Sequence, residues 1–197
     1  MKRLAKENLN TPAYFNKIWA EAHLHCHDSG RSKGFIEHIR DGDTVLDLGC
    51  GLFGFLEYWG DNKQYFKLDH IIPYGLDFSG YVIETVAKKR LGISLAQGDA
   101  LNTKFPAEFF DFVGSGEVIE HMEQPEKLVK EMARICKPGG KMVISTLDPN
   151  HPGIEHREYP EHLWEFTPED LTTLFMEYGI TSYSKIGPYH FILCKRF

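Results

Sequence analysis

Short apolar runs that each stop on a glycine or an acid, with amphipathic stretches between them, constrain this chain more than any other feature. Thr44-Val45-Leu46-Asp47-Leu48 runs into Gly49, a second run ends in Gly75-Leu76-Asp77, and Ile93–Ala96 leads into Gln97-Gly98-Asp99-Ala100. Phe109–Val113 follows, ending in Gly114-Ser115-Gly116-Glu117, and Lys141–Thr146 resumes the pattern. Apolar runs of this length without polar alternation read as strands covered on both faces. The stretches between them carry the helical period. Ser79 to Arg90 places Val82, Val86 and Ala87 on one side with Gly92 beyond its end, and Pro125–Ile135 aligns Leu128, Val129, Met132 and Ile135. Strands alternating with helices predict a parallel, doubly wound α/β sheet, whose ligands lie at the carboxyl ends of the strands.

The flanks extend this reading. Thr11-Pro12 offers a cap and a first-turn proline, and Tyr14, Ile18 and Ala22 recur at helical spacing, so residues 11–40 read as helical, broken at Ser29-Gly30. A shorter helix around Phe35–Ile39 ends at Asp41-Gly42-Asp43, and another helix is expected over about 53–60. Lys137-Pro138-Gly139-Gly140 is expected to stop the helix before the fifth strand. Thr167-Pro168-Glu169-Asp170 opens a helix that closes near Gly179, and Ile180–Ser184 and Tyr189–Lys195, joined by Gly187-Pro188, predict a terminal hairpin. Length and composition suit one domain with a small appended segment: 197 residues, 42% hydrophobic and 25% charged, which excludes collagen, coiled coil and wholesale disorder. A formal charge of −6 argues against a non-specific grip on phosphate backbones, so a nucleic-acid partner is not expected. Cys26, Cys50, Cys136 and Cys194 form no CxxC pair, and the charged opening residues carry no apolar run behind them, so a reducing cytoplasm is the expected location. No 18 uninterrupted apolar residues occur, so no membrane span is expected.

Chemistry is expected where the strands end. Glycines in Asp47-Leu48-Gly49-Cys50-Gly51-Leu52-Phe53-Gly54 let backbone approach a ligand closely. Asp77 closes the next strand, where a carboxylate can accept from both hydroxyls of a ribose, and Asp99 and Glu117 follow at the ends of the third and fourth. Together with Glu117-Val118-Ile119-Glu120-His121 and Lys137-Pro138-Gly139-Gly140, these segments resemble class I S-adenosylmethionine-dependent methyltransferases over roughly residues 40–197. The resemblance implies a Rossmann-like, seven-stranded, mostly parallel sheet with a C-terminal antiparallel hairpin. It implies S-adenosyl-L-methionine as cofactor and methyl transfer to an oxygen or nitrogen of a small-molecule acceptor. It divides the chain into an N-terminal helical segment, 1–40, capping the active site and a cofactor-binding domain, 41–197, with 149–166 as a substrate-side lid.

Carried over by the same resemblance, Asp47 orders the glycine loop, and Gly49, Cys50 and Gly51 border the methionine part of the cofactor. Asp77 holds the ribose, Phe78 packs near the adenine, Asp99 accepts from the adenine amino group, Ala100 offers its backbone N–H, and the backbone around Glu117 faces the amino-acid end. One departure stands out: the third glycine of the family pattern falls on Phe53, with a glycine one position later at Gly54. Glu117, Glu120 and His121 also resemble the segment with which ubiquinone-pathway and small-RNA methyltransferases hold Mg²⁺, while metal-free relatives use it to cap and brace. His23, His25 and His27 beside Cys26 admit a transition metal or a polar helix flank. His121 and His162 are the candidate catalytic residues, and His162, Tyr159, Trp164 and Tyr14 are candidate acceptor contacts; His151 and His156 belong to the same crowded region. Two alternatives stay open on the residues alone: a nicotinamide-dependent oxidoreductase, and a non-catalytic domain that binds the cofactor or its product and acts through a partner.

Overall fold

A computed structural model describes residues 1–5, 7–21, 29–52, 54–89, 92–152 and 159–197. A two-residue strand, β1 (Lys2–Arg3), precedes helices α1 (Pro12–Glu21) and α2 (Ser29–Ile36). Strand β2 (Thr44–Leu48) leads into α3 (Phe55–Asp61) and the short α4 (Lys63–Phe66), then β3 (Ile72–Asp77), α5 (Gly80–Lys89) and β4 (Ser94–Gln97). Next come β5 (Phe110–Gly116), a single 3-10 turn at Ile119–His121, α6 (Pro125–Ile135) and β6 (Cys136–Leu147). The chain ends with β7 (Trp164–Glu165), α7 (Pro168–Phe175), β8 (Gly179–Ile186) and β9 (Tyr189–Arg196).

Seven strands form one sheet in the order β4-β3-β2-β5-β6-β9-β8. The first five are mutually parallel, and β9 runs antiparallel to both β6 and β8. The expected doubly wound sheet with its C-terminal hairpin is therefore present. Its direction of winding reverses between β2 and β5, and it is there that a crevice opens at the carboxyl ends. Alternate residues of the central strands feed opposite helical layers. Leu46 and Leu48 pack with Leu128 and Met132 of α6 and Leu171 and Phe175 of α7. Val45 and Phe112 pack with Phe35 and Ile36 of α2 and Phe55, Leu56 and Trp59 of α3. Burial on both sides explains why these strands read as continuous apolar runs.

Several boundaries differ from the sequence reading. Lys137-Pro138-Gly139-Gly140 does not separate helix from strand, because β6 already begins at Cys136. Phe110 pairs with Cys136 and Phe112 with Lys141, so residues 137–140 bulge opposite Asp111, with Gly139 at φ +77°. Pro138 is tolerated there because a bulge leaves it no ladder bond to donate. Strand β5 runs on through Gly114-Ser115-Gly116, which pair with Val143, Ile144 and Ser145. Ser29-Gly30 opens α2 rather than breaking a helix. Helix α4 and the β1–β7 ribbon were not anticipated. A ribbon of two residues has no period to read; it joins Lys2 to Glu165 and Arg3 to Trp164 and is fastened by the Lys2–Glu165 and Arg3–Glu123 ion pairs. The expectations on Ala22, His23, His25, Cys26, His27, Phe53, Arg90 and His156 lie outside the described residues.

Candidate active site

The turn after β2 is held by its neighbour strand. Gly49 N–H and Cys50 N–H both donate to the carbonyl of Leu76, at 2.7 and 3.0 Å. Gly49 sits at φ +77°, and a Cβ there would lie 2.3 Å from Val118 Cγ2, so neither the conformation nor the space admits a side chain. Asp47 is buried at the end of β2 and accepts from Leu56 N–H at 3.3 Å, at the start of α3. A Cβ on Gly54 would stand 2.2 Å from Asp47 Oδ2 and 2.4 Å from the Cys50 carbonyl oxygen. The displaced third glycine thus has a steric role: Gly54 lets the helix start close over the Asp47 carboxylate.

Asp77 braces the same loop from β3. Its Oδ2 accepts from Gly51 N–H at 2.9 Å and its Oδ1 from Ser79 N–H at 2.8 Å, leaving it 7% exposed. Asp99 Oδ1 accepts from Leu101 N–H at 2.8 Å. Glu117 lies just past β5 at φ +57°, a left-handed conformation costly for a side chain with a Cβ, and accepts from Ser145 Oγ at 3.3 Å.

Two cavities meet at this rim. The larger, about 260 Å³, is lined by Leu76, Asp77, Phe78, Asp99, Ala100 and Leu101 on the sheet side, and by Gly49, Glu117 and His121. The smaller, about 100 Å³, is lined by Asp47, Gly49, Cys50, Gly51, Gly116 and Glu117. Gly49, Glu117 and Trp19 belong to both, so the two are neighbours across the glycine turn. Every residue expected at the cofactor lines one or both.

The N-terminal segment contributes to the lining of both cavities. Asn8, Asn10, Phe15 and Trp19 line the larger cavity, and Trp19, Arg31, Ser32 and Phe35 the smaller. The sequence reading picked none of these, since no spacing signature marks them. Asn16 Oδ1 accepts from Ser79 Oγ at 2.7 Å and Tyr81 N–H at 3.2 Å, docking α1 on the start of α5. Asn10 Nδ2 donates to the carbonyls of His121 and Glu161, at 2.8 and 3.0 Å.

His121 and His162, expected as catalytic, are brought together with ring centroids 4.9 Å apart. Only His121 lines the larger cavity; its Nδ1 donates to the Glu161 carbonyl at 3.1 Å, which leaves Nε2 with the lone pair. Tyr159 stacks on His162 at 4.8 Å, and Tyr14 hydroxyl donates to Glu161 at 3.4 Å, both one layer behind the cavity. Trp164 faces elsewhere, donating its Nε1–H to Met122 under the Arg3 guanidinium. One ligand atom each of Glu120, His121 and His162 fall within 4.8 Å of one another, so the histidine joining Glu120 and His121 is His162, while Glu117 is outside this group and lines both cavities.

Burial dominates the electrostatics. It pushes the Asp47 carboxyl up to about 7, against two backbone N–H groups and the Arg31 charge. Burial also raises Asp77, and it lowers the His121 imidazole to about 4, so that ring is neutral at physiological pH. Glu120 is raised well above the carboxylate range by burial and by the Glu117 charge, and its two oxygens are buried without a hydrogen bond among the described residues.

Residues 46–144 match the family described as "Methyltransferase domain". The chain is 27% identical to phosphoethanolamine N-methyltransferase 1 of Arabidopsis thaliana, covering 74% of this chain and 30% of that protein. It is 29% identical to 2-methyl-6-phytyl-1,4-hydroquinone methyltransferase of Synechocystis, covering 67% of this chain and 39% of that one. The chain thus spans less than half the length of either relative. Among solved structures, phosphoethanolamine N-methyltransferase 2 of Haemonchus contortus, in complex with S-adenosyl-L-methionine, superposes with a TM-score of 0.71. That match is 15% identical and covers 94% of this chain and 57% of the other, a likeness of fold. On the matched span, with its glycine turn and its row of strand-end acids in place, the chain belongs to the methyltransferase domain family.

Proposed function

We propose that the chain is an S-adenosylmethionine-dependent methyltransferase acting on an oxygen or nitrogen of a small-molecule acceptor. The observation that carries this reading is the pair of cavities joined at Gly49 and Glu117, one walled by Asp77, Asp99 and Ala100 and the other by the glycine turn. The larger takes a nucleoside: Asp77 receives the ribose hydroxyls on the lone pairs its backbone bonds leave, Phe78 and Leu101 flank the base, and Asp99 and the Ala100 N–H read its edge. The smaller takes an amino acid.

S-adenosylmethionine supplies both the methyl group and its leaving group, so the protein's work is alignment and exclusion of water. Phe15 and Trp19 cover the cavity from α1, and residues 1–40 act in this proposal as the cap of the site. His121, neutral and anchored through Nδ1, presents Nε2 to hold the proton of an acceptor hydroxyl or amine. His162 sets the outer face of that imidazole, and Tyr159 backs His162. The lid 149–166 belongs to the same proposal; of it, 153–158 lie outside the described residues. Among the described residues no helix is long and apolar enough to cross a membrane, and the acceptor is proposed to be a cytoplasmic small molecule rather than a nucleic acid.

A divalent cation also fits. The buried, unpartnered Glu120 oxygens beside two imidazoles form a donor set for one. Glu120, His121 and His162 would hold it, and it would polarise an acceptor hydroxyl in place of base action by His121, whose Nε2 it would occupy. Two nitrogens in three donors favour Mn²⁺ over Mg²⁺.

Product-release assays over phenols, amines, sugars and short RNAs test the whole reading, with Asp77→Ala as control. Turnover by the wild type on a small molecule, with cofactor affinity in the variant weakened about 30- to 1000-fold, is the expected result. Binding of S-adenosylhomocysteine without turnover on any acceptor would favour the non-catalytic alternative. Calorimetry with Mn²⁺ and Mg²⁺ on wild type and Glu120→Ala tests the cation separately; absence of heat in the wild type removes it.

A further inference from the structure

Two polar side chains on the larger cavity have their orientation fixed by backbone carbonyls. Asn10 Nδ2 donates to the carbonyls of His121 and Glu161, at 2.8 and 3.0 Å, so its Oδ1 is turned the other way. That oxygen is buried and has no hydrogen-bond partner among the described residues, an omission that folded chains rarely show. His121 Nδ1 donates to the same Glu161 carbonyl at 3.1 Å, which sets the tautomer and leaves Nε2 an acceptor. Both residues line the cavity. One carbonyl thus makes acceptors of two different side chains.

The surroundings have the same sense. The charged side chains lining this cavity are Asp77, Asp99, Glu117 and Glu123, with no Lys or Arg among its described lining residues, and Glu123 is held by Arg3 at 2.7 Å. Phe15 stands against the His121 ring, centroids 5.6 Å apart and planes at 82°, which puts an apolar wall beside the imidazole. An anionic acceptor would meet carboxylates here and no unpaired cation. A hydroxyl brings one O–H and satisfies one of the two acceptors. A primary amine brings two N–H groups, and once both are donated its lone pair is left in a third direction for the methyl carbon.

We propose that the acceptor is a primary amine on an apolar skeleton, held through its two N–H groups by Asn10 Oδ1 and His121 Nε2, and that it is methylated once. The inference rests on the S-adenosylmethionine reading above and narrows the acceptor atom to a primary nitrogen. The amine enters as an ammonium, which the acids and the Phe15 ring favour, and gives up one proton to water before it reacts. Its lone pair then forms the N–C bond as the C–S bond breaks. The sulfur keeps that electron pair and leaves as neutral S-adenosylhomocysteine, while the nitrogen becomes a secondary ammonium that passes one proton through His121 Nε2 to water. The secondary amine so formed has a single N–H, so a second transfer would leave one acceptor unpaired.

The experiment uses acceptors that share a skeleton and differ in one group: phenethylamine, N-methylphenethylamine, phenethyl alcohol and hydrocinnamate, with hexylamine, N-methylhexylamine, hexanol and hexanoate as a second set. Transfer from methyl-labelled S-adenosylmethionine is measured in EDTA, which keeps Nε2 clear of a cation. In the wild type, kcat/KM for the primary amine should exceed that for its N-methyl form by about tenfold or more, and that for the alcohol and the acid by about 100-fold or more. Mass spectrometry should show a singly methylated product. Asn10→Ala should reduce the primary-to-secondary ratio to about threefold or less, with S-adenosylhomocysteine affinity within about threefold of wild type as the sign that the cofactor side has folded. If that variant does not fold, the wild-type ratios decide the matter. Preferred methylation of an alcohol or acid, with or without Mn²⁺, overturns the inference and leaves the methyltransferase reading standing, as does a mainly dimethylated product or a ratio unchanged in Asn10→Ala. S-adenosylhomocysteine binding with no turnover of either primary amine also overturns it. If wild type does not bind S-adenosylhomocysteine, the cofactor reading itself fails and takes this inference with it.

Discussion

Asp47 is the residue at which stability and site conflict, and the conflict has a measurable sign. Its carboxyl stands at the end of β2, 2% exposed. Burial raises it from 3.8 to about 7, and the Asp77 charge adds to that; Leu56 and Phe55 N–H and the Arg31 guanidinium oppose it without winning. Such a change in one carboxyl corresponds to roughly 4 kcal/mol of preference for the neutral form. In the unfolded chain the same group ionises near 4. Between these two values the folded state binds the proton and the unfolded state does not, so stability contributed by this group is complete below about pH 4 and is lost as pH rises to about 7.

Asn at this position is a neutral side chain of the same shape that still offers an oxygen to Leu56 N–H. Asp47→Asn should therefore leave stability at pH 4 within about 0.5 kcal/mol of wild type and raise it by about 2–4 kcal/mol at pH 8, without ligand. Urea unfolding followed by circular dichroism at half-unit steps from pH 4 to 8 reads this directly, because the slope from Glu120 is common to both proteins and relief of the repulsion between Asp47 and Asp77 adds to the gain in the same direction. A variant less stable than wild type at pH 8, or a difference that does not grow with pH, refutes the argument.

Other consequences follow from single contacts. Gly49→Ala should cost about 3 kcal/mol, from the left-handed φ and the overlap with Val118, and adding Val118→Ala should return about half by urea titration; simple additivity of the two would contradict the overlap. Glu131 is raised by burial but pulled further down, to about 2, by Arg134 and Thr103, so its contribution is present above pH 4.5 and lost as pH falls toward 2. Glu131→Gln should cost about 2 kcal/mol at pH 7 and almost nothing near pH 2, read as a flattened acid limb in thermal unfolding. Asn16→Ala removes the link between α1 and α5, and stopped-flow release of S-adenosylhomocysteine should accelerate about three- to tenfold with little change in melting temperature.

What the sequence made legible, and what it hid, follows physical lines. Val45, Leu46 and Leu48 are buried between two helical layers, so hydrophobicity alone marks their strand; Gly49 is fixed by its left-handed backbone, and Asp77 by the Gly51 and Ser79 N–H groups its carboxylate accepts from. The pairing of β1 with β7 could not be read, because two residues have no period and their ion pairs join positions far apart in the chain. The same holds for the cap. Trp19, Arg31 and Ser32 reach the cavity because of where α1 and α2 dock, and docking is decided by contacts such as Asn16 on Ser79 that no local pattern announces. His162 was singled out for composition and proved to lie beside His121, yet nothing in the spacing of 121 and 162 says that they touch.

That division has a mechanistic meaning. The sheet side of the site is organised before any ligand arrives: Asp77 holds Gly51 and Ser79, and Leu76 holds Gly49 and Cys50. A cofactor meeting it has little ordering left to impose, which favours affinity. The cap is built differently. Helix α2 is anchored in the core through Phe35 and Ile36, but α1 contains no fully buried residue, and the hydrogen bonds of Asn16 and the ion pairs of the opening residues that hold the chain before α2 are each worth little. Segments of that kind open at low free-energy cost, so the face that meets the acceptor can change sequence and conformation without disturbing the face that holds the cofactor. In the proposed function, acceptor choice would fall to the α1 side of the larger cavity, where Asn8, Asn10 and Phe15 lie opposite the strand-end acids and carry the least motif content. Exchanging Asn8, Asn10 and Phe15 should alter which acceptor is methylated while leaving the affinity for S-adenosylhomocysteine within a few-fold, whereas exchanging Trp19, which lines both cavities, should weaken that affinity as well; a larger loss of affinity in the triple exchange would contradict the argument.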